Sequence, residues 1–167
     1  MIRSTSLRIG LALLVLAVAA LPVVAGQNWS FVSPLKGAAE RPNPVDTNAA
    51  GFAKFVVNAD ETAVTYRLIV ANIDGVTQSH IHCGGPEVAG PVVAFLFGLN
   101  AAGVTENGIL AEGTITAANV IPRPDSAACP GGVANLADLI EKIRAGEAYT
   151  NVHTLTWPGG EIRGTIR

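Results

Sequence analysis

The chain has 167 residues, of which 49% are hydrophobic and 14% are charged, and this length fits one domain. Its 11 Lys and Arg residues face 13 Asp and Glu residues, and like charges form no run. This charge balance excludes a basic surface that would attract nucleic acid.

The amino-terminal segment has the pattern of a secretory signal peptide. Arg3 and Arg8 precede a nearly unbroken apolar stretch, and the compact residues Val23 and Ala25 suit a signal peptidase. A transmembrane anchor needs about 20 apolar residues, and this stretch is shorter. We therefore predict a signal peptide over residues 1–26, a mature domain over residues 27–167, a secreted or periplasmic protein, and no membrane contact after cleavage.

Cys83 and Cys129 are the two cysteines of the chain. Export to an oxidising compartment predicts that they form a disulfide. The alternative is that Cys83 is a metal thiolate, because it directly follows His82. On a strand, Cys83 would point to the side opposite the neighbouring histidines, which favours the disulfide.

Beyond Phe31, short segments of alternating hydrophobicity are separated by Gly, Pro, Asn and Asp, which predicts an antiparallel all-β domain. About eight strands suit a β-sandwich or a closed barrel. The predicted strands are Ser30–Leu35, Gly51–Asn58, Ala63–Asn72, Val76–Cys83, Pro91–Phe97, Ile109–Thr116, Ala148–Thr156 and Glu161–Ile166.

The connections between these strands include two predicted turns and one helix. Asn58–Glu61 and Asn72–Gly75 contain residues that favour hairpin turns. A helix of about ten residues is predicted between an Asn135 cap and a Gly146 cap, since apolar residues recur there at helical spacing. The apolar residues of this helix are Leu136, Leu139, Ile140 and Ile143.

The three histidines lie in two predicted strands. His80 and His82 share one strand face, and His153 lies on the face opposite Val152. If Ile81 and Val152 face the core, all three imidazoles project from the outer surface of one sheet. They can then converge on one ion if the two strands are neighbours.

Imidazole nitrogen is a good ligand for both copper and zinc, so this pattern predicts one copper or zinc ion at His80, His82 and His153. The unperturbed imidazole pKa of about 6.5 predicts that binding weakens below about pH 6. The alternative is that these histidines only form hydrogen bonds at the surface and bind no metal.

A second group of polar residues consists of Glu40, Glu161 and Arg163. Glu161 and Arg163 share a strand face, and a structural cluster of ion pairs or hydrogen bonds is favoured over a catalytic carboxylate. Tyr149 and Trp157 are interpreted as packing residues. The chain lacks a Gly-x-Ser-x-Gly elbow and a phosphate-binding glycine loop, so no catalytic residue is assigned.

Three blocks of the sequence together resemble the CHRD (chordin-type) domain family. They are the block from Leu35 to Pro42, the His80 block with the following Gly90-Pro91-Val92-Val93, and the block from Gly146 to Gly164. The third is the most specific, because it contains both Tyr149-Thr150-Asn151-Val152-His153-Thr154 and Gly159-Gly160-Glu161-Ile162-Arg163-Gly164. The resemblance implies extracellular placement more firmly than an activity, and we expect the partner to be an unidentified extracellular ligand or a metal ion.

A weaker resemblance is to copper-zinc superoxide dismutase, a secreted β-sandwich with a His-x-His strand and an intradomain disulfide. That enzyme's paired metals need about six histidines, and this chain has three. Three hypotheses therefore stand: a secreted CHRD binding module that holds one metal ion, a small extracellular metalloenzyme that acts on superoxide or another oxidant, and a surface or matrix protein without metal.

Overall fold

The structure is a computed structural model that describes residues 26–167. The predicted signal peptide lies outside the described residues, except for Gly26. Within residues 26–167, no helix has the length and apolar character needed to cross a membrane.

The described chain is an antiparallel all-β domain with one α-helix, as the sequence predicted. Seven strands pair only in the antiparallel sense. The strands are β1 (Trp29–Lys36), β2 (Ala50–Val57), β3 (Val64–Cys83), β4 (Val92–Phe97), β5 (Val104–Ile115), β6 (Ala148–Thr154) and β7 (Ile162–Thr165), and the helix is α1 (Leu136–Ala145).

Strand β3 connects two layers of the sandwich-like sheet. Its first half, from Val64 to Ala71, pairs with β2 and β5, and its second half, from Val76 to Cys83, pairs with β6 and, from Ser79 to His82, with β4. The path β2-β1-β7-β6-β3 returns to β2, so the sheet closes on itself. This closure encloses the apolar core.

The prediction of a hairpin turn at Asn72–Gly75 is wrong, because β3 continues through these residues as one strand. Asn72 and Gly75 do adopt the positive φ angles of 54° and 65° that their residue types favour. Here these angles accompany shifts in the register between β3 and β5 on either side of Ile73. The irregularity therefore bends a strand from one layer to the other, and eight predicted strands become seven.

Buried and exposed residues alternate along the strands, and the buried ones form the core that the sequence predicted. Ala53, Phe55 and Val57 of β2 are buried, and Phe52 and Lys54, which alternate with them, are exposed. Ile81 of β3 and Val152 of β6 are fully buried in the same core. The turn predicted at Asn58–Glu61 connects β2 to β3.

Helix α1 covers one side of this core at the predicted position. The Asn135 side chain accepts a hydrogen bond from the Asp138 N–H, and Gly146 ends the helix with a left-handed φ of 68°. The helix buries Leu136, Leu139, Ile140 and Ile143.

Candidate metal centre

The three histidines lie side by side on two paired strands. His80 and His82 belong to β3, His153 belongs to β6, and these strands are antiparallel neighbours. In the register, His80 is opposite Asn151, and His153 is opposite Gln78. The adjacency on which the predicted convergence depends is therefore present.

The imidazole nitrogens form one compact group. One nitrogen from each histidine lies within 4.8 Å of the others. The His80 Nδ1 atom is 3.2 Å from the His153 Nε2 atom. His80, His82 and His153 could therefore hold one metal ion.

The expectation that all three imidazoles project from an open outer surface is wrong. His80, His82 and His153 are only 3%, 9% and 7% exposed. Two loop segments fold over this face: Gly84–Gly90 contacts His82, and Trp157–Gly160 contacts His153. Phe95 of β4 adds an edge-on contact, with its ring centroid 4.5 Å from that of His80. Strand period predicts the face of a side chain, but it does not predict which loops cover that face.

Backbone carbonyls determine the tautomers of two of the rings. The His82 Nδ1–H donates to the Gly90 carbonyl at 2.8 Å, and the His153 Nδ1–H donates to the Pro158 carbonyl at 2.9 Å. Because a carbonyl oxygen can only accept, these neutral rings must have a lone pair at Nε2. This is the arrangement in which a ligating histidine is oriented by its second nitrogen.

His80 differs from the other two histidines because it has no hydrogen bond to the backbone. Its Nδ1–H donates to the lone pair of His153 Nε2. The buried Nε2 atoms of His80 and His82 have no partner among the described residues. A buried lone pair without a donor, as at His82 Nε2, is an unfavourable arrangement that a bound cation would relieve.

Burial keeps these imidazoles neutral. Desolvation, with smaller contributions from the neighbouring imidazoles, lowers the pKa of His80 to about 3. Desolvation also lowers the pKa of His82 to about 4, and it lowers the pKa of His153. Neutral imidazole is the form that ligates metal, so no deprotonation is needed at neutral pH.

The spacing fits a single ion. Two nitrogen ligands of a tetrahedral zinc ion lie about 3.3 Å apart when each bond is about 2.0–2.1 Å. The separation of 3.2 Å between His80 Nδ1 and His153 Nε2 matches this value, and an ion held by these two atoms would replace the proton between them, which would move to His80 Nε2. With one nitrogen from each ring, all pairs lie within 4.8 Å, so the widest pair would close by at most about 1.5 Å on binding.

The residues of the predicted polar cluster lie on the same covered face but do not pair with one another. The Glu161 carboxylate accepts hydrogen bonds from the hydroxyls of Thr47 and Thr154, both at 2.7 Å. The Glu40 carboxylate accepts from the Asn151 side chain at 2.7 Å. Burial raises the pKa of Glu40 to about 7, although the Arg163 charge acts in the opposite direction.

Arg163 is 2% exposed and bonds to the backbone rather than to a carboxylate. Its Nη2 group donates to the carbonyls of Gly85 and Val88, at 2.9 and 2.8 Å. Its guanidinium lies over the Tyr149 ring, 3.4 Å from the ring centroid. It forms no ion pair among the residues that the structure describes.

Sequence reasoning did not identify the carbonyls of Gly90 and Pro158 or the role of Tyr149. The Tyr149 ring stacks on His82 with 4.8 Å between centroids and an interplanar angle of 10°. Alternation along β6 gave a usable signal, because Tyr149, Asn151 and His153 must share one face. Backbone carbonyls of loops leave no comparable signal in the residue types.

The predicted disulfide between Cys83 and Cys129 is confirmed. It connects the end of β3 to the segment before α1, across a sequence separation of 46 residues. Both cysteines are fully buried, and residues 26–167 contain no free cysteine. The alternative in which Cys83 is a metal thiolate is therefore excluded.

The fold and this site define a disulfide-bonded antiparallel β domain with a buried group of three histidines. The family model of the CHRD domain matches residues 31–166. The chain belongs to the CHRD domain family, as its sequence blocks suggested. Neither a curated protein nor a solved structure gives a significant match to the chain.

Proposed function

We propose that this protein is a secreted CHRD-domain binding module that holds one copper or zinc ion through His80, His82 and His153. One observation supports the proposal above all others: one nitrogen from each of three buried imidazoles lies within 4.8 Å of the others. The carbonyls of Gly90 and Pro158 hold two of the rings with the lone pair on Nε2.

A site with three protein ligands leaves a position for water or for an external ligand. The histidines are slightly exposed, so an external ligand would approach past the loops and Phe95. Imidazole suits both copper and zinc, and raw affinity favours copper.

Secretion is part of this proposal. The apolar segment after Arg8 supports export, and a buried disulfide suits an oxidising compartment. We expect the exported protein to begin near Gly26 or Gln27. Intact-mass measurement checks this, and retention of Met1 to Ala25 would contradict it.

Titration calorimetry of chelator-treated protein with Cu(II) and with Zn(II) tests the metal site. We expect one ion per chain for the wild type and no tight binding for His80→Ala. Because His80 is buried, alanine also leaves a cavity, so His82→Gln and His153→Gln are measured beside it. Circular dichroism verifies that each variant is folded.

Phe95→Leu is the matched control, because Phe95 contacts the His80 ring but offers no ligand atom. We expect this variant to bind the ion as the wild type does. Equal binding by wild type and folded His82→Gln, or no binding by the wild type, would overturn the proposal. Superoxide consumption by the copper-loaded protein would favour the metalloenzyme hypothesis over the binding module.

A further inference from the structure

We propose that Arg163 is a positioning residue for His82, which it holds in one orientation and one tautomer through the segment Gly84–Gly90 and through Tyr149. The consequence for metal affinity rests on the proposed function. The effect on the imidazole does not, because it is a property of the metal-free protein.

The hydrogen bonds of Arg163 show what it holds. Its Nη2 group donates to two carbonyls of one loop, those of Gly85 and Val88. Burying a charge is costly unless hydrogen bonds compensate for it, and here these bonds go to the loop. The guanidinium therefore attaches the segment Gly84–Gly90 to β7.

The same segment orients His82. The Gly90 carbonyl accepts the His82 Nδ1–H, and the Gly90 N–H donates to the Tyr149 hydroxyl at 3.0 Å. A Cβ atom at position 90 would lie 1.7 Å from the Cys83 carbonyl oxygen, so only glycine permits this close approach to the end of β3. Displacement of the segment would therefore remove the acceptor that specifies the His82 tautomer.

A second connection runs through stacked groups. The Arg163 guanidinium lies 3.4 Å from the centroid of Tyr149, and the Tyr149 ring in turn stacks on His82. A planar guanidinium suits both this stacking and its forked hydrogen bonds, whereas a lysine ammonium is a point charge. Arg163 thus restrains His82 by two routes, neither of which involves direct contact.

His153 provides a comparison within the same protein. Its Nδ1–H donates to Pro158, which belongs to a different loop. Among the described residues, the Arg163 side chain forms hydrogen bonds only with the segment that contacts His82. Loss of Arg163 should therefore change His82 and leave the His153 tautomer as it is.

The test measures imidazole tautomers in the metal-free Arg163→Lys protein by ¹⁵N NMR. In the wild type, we expect His82 and His153 to have the proton at Nδ1. In Arg163→Lys, we expect a mixture of tautomers at His82 and an unchanged His153. A role limited to stability would lower the melting temperature and leave both rings as they are, and that result would overturn the proposal.

Zinc titration of the same proteins gives the second measurement. Loss of a group that orients a ligand typically weakens metal affinity roughly 10- to 100-fold, and we expect this range for Arg163→Lys. If the wild type binds neither copper nor zinc but the His82 tautomer still changes, the positioning role stands and the proposed function fails. If zinc binds equally to the wild type and to Arg163→Lys, and the His82 tautomer is the same in both, the positioning role is wrong and the proposed function stands.

Two further variants make the test decisive. Glu87→Gln alters an exposed residue of the same segment and breaks its ion pair with Arg41, so we expect neither the tautomers nor zinc affinity to change. Arg163→Gln keeps a planar amide donor but loses the charge and the forked donor group, and it replaces Arg163→Lys if that variant does not fold. Tautomer exchange at His82 in Arg163→Gln then supports the proposal, and an unchanged His82 overturns it.

Discussion

The two halves of β3 show how one strand pattern can lead to opposite environments. In the first half, outward-facing Thr65, Arg67 and Ile69 are exposed. In the second half, outward-facing His80 and His82 are buried. The strand period is the same, and the difference arises from the loops that cover only the second half. The surroundings of an outward-facing residue therefore depend on loops and not on the strand that bears it.

The disulfide is the strongest restraint on the covered half. Replacing Cys83 and Cys129 together by serine should lower the free energy of unfolding by about 4 kcal/mol, because the bond closes a loop of 46 residues. Urea unfolding checks this value. Hydrogen exchange should rise in the second half of β3 and in β6, and an equal rise in the first half of β3 would contradict the division into two environments.

Alanine substitutions of two arginines, one in each environment, compare the stability that each environment contributes. Arg163→Ala should cost about 3 kcal/mol, because it leaves the buried carbonyls of Gly85 and Val88 without donors. Arg67→Ala removes only an exposed ion pair with Glu112, and we expect less than about 1 kcal/mol. Urea unfolding of both variants measures the difference. Similar losses would show that burial does not distinguish the two halves.

Glu40 should give the covered face a distinctive pH dependence. Burial raises its pKa from 4.5 to about 7, so the folded protein binds this proton more tightly than the unfolded chain does. The resulting stability is fully present below about pH 4.5 and is lost as the pH rises through about 7. The advantage of Glu40→Gln over wild type should therefore grow by about 3 kcal/mol from pH 4.5 to pH 8. Urea unfolding at each pH checks this. An equal dependence of the free energy of unfolding on pH in the wild type and in Glu40→Gln would contradict it.

The smallest expected effect concerns metal binding in mild acid. An ordinary imidazole pKa predicts weaker binding below about pH 6, but burial lowers the pKa of His80 to about 3 and that of His82 to about 4. Burial also lowers the pKa of His153, so protons compete with the metal less in mild acid than an ordinary imidazole pKa predicts. Calorimetry with copper should therefore show a smaller loss of affinity between pH 7 and pH 5.5 than three imidazoles with a pKa of about 6.5 would give. A large loss over this interval would show that the site is open to water.

Much of the fold follows from local pattern. Alternation placed Ile81 and Val152 in the core, and helical spacing between Asn135 and Gly146 located α1. Both signals are periodic along the chain, so they need no knowledge of distant contacts. The turn predicted at Asn72–Gly75 failed because residues that favour positive φ serve a bend within a strand as well as a hairpin.

For the site, the sequence alone determined which histidines share a face and which side of the strand Cys83 occupies. It also predicted the disulfide, because the two cysteines have no other possible partner, although a metal thiolate at Cys83 stayed open until the bond was seen. Only the tertiary structure decided that β3 and β6 are neighbours, that loops bury the three imidazoles, and that Gly90 and Pro158 accept their protons. Side-chain direction is a local property with a period of two residues, whereas burial, tautomer and pKa depend on segments far away in the chain.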